Sequence, residues 1–83
     1  MTRRAALKKI DAALITGARI TVAEGEHFGR TGVYFRGRYD TEQVGVWLDG
    51  EPRSINPTWI PYKGVLPDSL IHNYELRNAM GWT

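Results

Sequence analysis

Four cations crowd the start of this chain: Arg3, Arg4, Lys8 and Lys9. On a single helix they neutralise several phosphates together, and such binding weakens steeply with salt. The competing reading is an ordinary solvated helix face. A second basic group, Arg36 and Arg38, stands beside Tyr39. A guanidinium next to an aromatic ring is a pairing on which unpaired bases stack, although loop solubility uses the same residue types. Arg19 extends the charge between the two groups. Tyr34, Trp47 and Trp82 are the candidate anchors for a protein partner, because large aromatics on an outer face are either covered or bind something. Glu24 and Glu26 lie just before His27, but paired-carboxylate chemistry needs an enclosing cleft, for which this chain is short. His27, His72, Ser54 and Ser69 each stand alone on their segments, so no triad follows from spacing and the chain reads as non-catalytic.

Eighty-three residues make one small domain with one modest core. The net charge is +2 but unevenly placed: residues 1–23 carry five basic side chains and one acid, residues 24–53 four basic and six acidic. An acidic partner is therefore met mainly by the N-terminus. Cysteine is absent, which removes disulfides, thiol catalysis and cysteine-ligated zinc. Two histidines are too few for a His-rich metal site, and no cofactor or small-molecule substrate is expected. No apolar run approaches the roughly 20 residues of a membrane span, and the residues after the first cations are too broken by Asp11 for a signal peptide. The expected location is cytoplasmic. Nothing in the pattern sets an oligomeric state.

These residues need elements to hold them. Thr2 is the natural cap of a helix over residues 3–16, with Leu7, Ile10 and Leu14 as its apolar stripe and Gly17 as its left-handed end. Residues 18–23 alternate, with Ile20 and Val22 inward; Gly25, Gly29 and Gly32 then turn the chain into a second alternation at 32–36. Residues 44–48 form the clearest strand, Asp49-Gly50 a tight turn, and residues 53–55 a short strand pairing back on 44–48. A 3₁₀ turn at 56–59, a last strand at 60–62 and a helical segment over 68–80 capped by Asp68 complete the expected order. The predicted barrel, residues 18–62, has a core of Ile20, Val22, Val33, Phe35, Val44, Val46, Leu48, Ile55 and Ile60. Pairing 35 with 46 and 33 with 48 sets Tyr34 opposite Trp47 on the outer face, where the helix stripe would cover them. The expected fold is mainly β with flanking helices: a small SH3-like barrel of four to five antiparallel strands.

The run Gly17, Ile20, Val22, Gly25, Gly29, Gly32, Val33 resembles the KOW motif of SH3-like barrels, over residues 17–36 directly and 44–62 more weakly. Proteins similar to this motif include ribosomal proteins and transcription elongation factors. The resemblance implies a non-catalytic module binding nucleic acid, a ribonucleoprotein or an RNA polymerase surface. The loop departs from the pattern: with Glu24, Glu26, His27 and Arg30 it is nearly neutral and a poor grip for phosphate. The alternative is a small bacterial or phage accessory protein that binds a host factor through Tyr34 and Trp47 or the terminal helices.

Overall fold

The computed structural model describes residues 1–38, 40–54 and 56–82. Tyr39 and Ile55 lie outside the described residues.

Helix α1 (Arg3–Ala13) begins where expected, with Thr2 Oγ1 accepting the Ala5 N–H at 3.1 Å. It ends three residues sooner than the sequence suggests. The Leu14 N–H closes the last turn on Ile10 and Asp11, and Gly17 serves β1 instead, donating to the Tyr34 carbonyl at 2.9 Å. Strands β1 (Arg19–Val22), β2 (Thr31–Arg38), β3 (Gln43–Leu48), β4 (Thr58–Pro61) and β5 (Val65–Pro67) form one antiparallel sheet in the order β4-β3-β2-β1-β5. A short helix α2 (Tyr74–Met80) follows. The architecture is the expected one, a small mainly-β domain with a helix at each end. The sheet is not closed, since β4 and β5 are its two outer strands. Among the described residues no helix is long and apolar enough to cross a membrane.

The second half of the chain shifts against expectation. The second partner of β3 is Thr58–Pro61, with Val44 opposite Ile60 and Gly45 opposite Trp59, rather than a strand through Arg53 and Ser54. Arg53 and Ser54 belong to a loop over residues 49–57. That loop has its own anchor: the Trp47 indole donates to the Ser54 carbonyl at 2.7 Å. The 3₁₀ turn falls at Tyr62–Gly64 and the last strand at Val65–Pro67. Asp68 opens a single 3₁₀ turn, Asp68–Leu70, and its carboxylate accepts from the Thr21 hydroxyl at 3.0 Å. Asn73 is the true cap of α2, its side chain accepting the Leu76 N–H at 3.0 Å. This split explains why residues 68–80 share no single apolar face: Leu76 and Met80, four apart, are buried on α2, whereas Leu70 and Ile71 belong to the preceding turn.

Two apolar clusters meet at Leu14. Inside the curled sheet lie Ile20, Val22, Val44, Val46, Leu48, Ile60 and Val65, with Tyr34 and Tyr62 against them. On the other side of β5, Leu66 joins Ala6 and Ile10 of α1, Leu76 and Met80 of α2, and Trp82. The helices thus pack beside β5, and β2, β3 and β4 turn their outer face elsewhere.

The largest correction concerns β2. Gly32 pairs with Leu48, Val33 with Trp47 and Tyr34 with Val46; a bulge follows, and Arg36 pairs with Gly45. The register is one residue from the expected one, and a one-residue slip exchanges the two faces of a strand. Tyr34 therefore packs on the core side, while Phe35 lies on the outer face with Trp47; Val33, opposite Trp47, is buried as expected, at 7% exposure. The helix stripe does not cover Trp47.

Candidate nucleic-acid interface

The outer face of β2–β3–β4 is built around small residues that let large ones lie flat. At Gly45 a side chain would meet Pro57 Cγ at 2.6 Å and Trp59 Cζ3 at 3.2 Å, so the missing Cβ is what admits Trp59 onto the sheet. One pleat away, Phe35 stacks on Trp47 with ring centroids 4.4 Å apart and planes 26° from parallel. The bulge after Tyr34 adds a residue on this side, so Phe35 and Arg36 both reach it.

Three guanidinium groups lie over these rings. Arg38 Cζ sits 4.0 Å from the centroid of Trp59. Arg36 lies 5.6 Å from both Phe35 and Trp59, and Arg53 5.4 Å from Trp47. These are cation–π distances. The rings are half-buried and the three arginines exposed. Among the described residues the ion pairs between permanently charged groups are Arg19–Asp49 and Arg30–Glu51; Arg36, Arg38 and Arg53 are in neither, and Arg53 lies close enough to Asp49 for their charges to attract. The result is a stripe of alternating rings and cations across β2, β3, β4 and the loop after β3.

Arg19, an expected nucleic-acid contact, is otherwise engaged. Its guanidinium makes a two-pronged bond to Asp49, at 2.9 and 2.6 Å, and Asp49 also accepts from the Thr31 hydroxyl. The three residues tie β1, the start of β2 and the turn after β3. These hydrogen bonds, from Arg19 first and then Thr31, hold the Asp49 carboxyl well below its ordinary value of 3.8. A carboxyl whose pKa is lowered by folding adds stability above its unfolded pKa and loses it as pH falls toward the folded one. Asp49→Asn should therefore melt below the wild type at neutral pH. The gap should close as pH falls below about 4, where the unfolded carboxyl takes up its proton. Melting curves from pH 7 to roughly pH 2 test this, and a gap that widens in acid contradicts it.

The other expected residues scatter. Arg3, Arg4, Lys8 and Lys9 are all exposed on α1, but Arg4 and Lys8 alone among them line a groove that α1 forms with the ends of β2 and β3, together with Arg38 and Tyr34. Trp82 is 7% exposed, and its indole donates to the Glu24 carboxylate at 3.0 Å. It is a tethered chain end and not an exposed anchor. Since Tyr34 faces the core and Trp47 the outside, no single surface carries both. Glu24, Glu26 and His27 line a hollow of about 220 Å³ with Trp59 and Ile60. Glu24 there is bound to Trp82, and the Glu26 side chain is 88% exposed, 3.4 Å from His27. Among the described residues no group of three His, Asp or Glu could hold a metal ion.

Sequence reasoning missed Phe35, Trp59 and Arg53. Alternation assigns the first inward, and the second falls in the turn expected at 56–59, at the edge of the core. Arg53 has no signal in its neighbours, because the loop carrying it is pinned by the bond from Trp47 to Ser54. No protein-family model matches the chain, and no curated protein matches it.

Proposed function

We propose that this chain is a non-catalytic module that binds single-stranded nucleic acid on the outer face of β2–β3–β4. The observation that supports the reading is the interleaving of Phe35, Trp47 and Trp59 with Arg36, Arg38 and Arg53 on a half of the sheet that the helices leave open. Rings offer bases a stacking surface worth about 1–3 kcal/mol per base, and guanidinium groups beside them meet the phosphates. A duplex hides its base faces, so a flat stacking surface favours unpaired strands. The modest net charge of +2 makes the local stripe, rather than a global field, the source of attraction.

Titration with an oligonucleotide of roughly 10 bases, followed by tryptophan fluorescence, tests the reading. The single strand should bind more tightly than the duplex of the same sequence. Three neutralised phosphates, one for each of Arg36, Arg38 and Arg53, imply a loss of about 20-fold between roughly 50 and 200 mM salt. Trp59→Ala combined with Arg38→Ala should weaken binding by roughly 10- to 100-fold, the value of one stacked base and one phosphate. Absence of binding to RNA and DNA at about 50 mM salt would sink the proposal. Phe28 is 71% exposed at the tip of the loop between β1 and β2, and would then be the first residue to test for a protein contact.

A further inference from the structure

Resting on that reading, we infer that the groove between α1 and the ends of β2 and β3 is a pocket for one base of the bound strand. The groove encloses about 410 Å³, within the roughly 300–1,000 Å³ of small-ligand clefts. Its walls are apolar and aromatic: Leu7 and Leu14 from the helix, Tyr34, Val44 and Tyr62 from the sheet side. Arg4, Lys8 and Arg38 supply three cations at its edges. Asp11 and Glu42 also line it, and they leave the groove one positive charge in excess. The combination suits a planar, partly polar ring that carries a phosphate. Apolar and aromatic walls hold the faces of an unstacked base, carboxylates accept from its exocyclic amines, and the cations meet the phosphate.

Arg38 links the groove to the stacking face. It lines the groove and lays its guanidinium 4.0 Å from the Trp59 ring. A strand stacked on Trp59 therefore reaches the groove over Arg38, and the next phosphate meets Arg4 and Lys8. These two are four residues apart on α1 and so project from the same side of it. Lys9 follows Lys8 but stands about 100° further round the helix and does not line the groove.

The test is a nuclear magnetic resonance titration of the whole chain with an oligodeoxycytidylate of roughly 10 nucleotides, whose bases carry the exocyclic amine. Two sets of signals are followed: the indole N–H of Trp47 and Trp59, and the methyls of Leu7, Leu14 and Val44. Movement of both sets is the expected result. Indole shifts with still methyls overturn the groove pocket and leave the stacking face standing. Still indoles and still methyls overturn both. Methyl shifts alone keep the pocket and remove the face. In parallel, Lys8→Gln should reduce the salt slope by about 0.7, one phosphate, and Lys9→Gln should leave it unchanged. Equal losses in the two variants would mean that the helix acts through diffuse charge, and the pocket would be discarded.

Discussion

Gly32→Ala should lower the melting temperature by roughly 10–20 °C, although it adds a single methyl group. Gly32 is buried on the core side of β2, between Ile20 of β1 and Leu48 of β3. A Cβ there would collide with the Trp47 carbonyl oxygen and stand 3.0 Å from Leu48 Cα and 3.1 Å from the Trp47 carbonyl carbon. All three atoms are backbone, so no rotamer change relieves the contact; β3 itself must move away from β2. Overpacking typically costs about 1–3 kcal/mol, and a collision with backbone falls at the upper end; in a domain this small each kcal/mol is worth about 4–8 °C. Gly50→Ala is the matched control. Gly50 has φ +87° and open space around its Cβ position, so its alanine suffers backbone strain alone, about 1 kcal/mol. Circular-dichroism melts of both variants decide the matter. A Gly32→Ala protein that melts no lower than the Gly50→Ala protein would show that β2 and β3 are not so closely apposed.

The second large effect lies at the end of the chain. Trp82→Ala should cost about 3–5 kcal/mol, a large share of what an 83-residue domain has to lose. The ring fills the cluster formed by Ala6, Ile10, Leu66, Leu76 and Met80, and removing it leaves a cavity shared by α1, α2 and β5. Trp82→Phe separates packing from polarity. It keeps a large ring but loses the indole bond to Glu24, whose exposed carboxylate returns to water at a cost of about 1 kcal/mol. Denaturant titration should rank wild type, Trp82→Phe and Trp82→Ala in that order, with most of the loss in the last step. Near-wild-type stability of Trp82→Ala would remove the terminal tryptophan from the core.

Alternation located β1 and β3 because in both the large apolar residues fall on one side. In β2 it failed, since Val33 and Phe35 compete with Tyr34 for the inner face and both choices bury an aromatic. The register is decided by Gly32, the one residue small enough to pass Leu48 and the Trp47 carbonyl, and by a bulge that no local pattern announces. The same limit applies to the site. Arg36 and Arg38 were legible as cations beside an aromatic, but the ring they lie over, Trp59, is 21 residues beyond Arg38. Arg19 was read as available because its partner Asp49 is 30 positions away. Charge and propensity are local properties, whereas pairing is set by topology.

The open sheet ends at β4 and β5; β5 is buried beside the helices, so β4 is the outer strand nearer to solvent, and an unpaired edge is a template on which a second molecule can add a strand. Proline lies at the end of each: Pro61 closes β4 and Pro67 closes β5. Proline has no N–H to offer an incoming chain, and both edges are short, at four and three residues. Lys63 adds a charge just beyond β4. Short, proline-ended outer strands thus oppose edge-to-edge pairing in a sheet that does not close on itself.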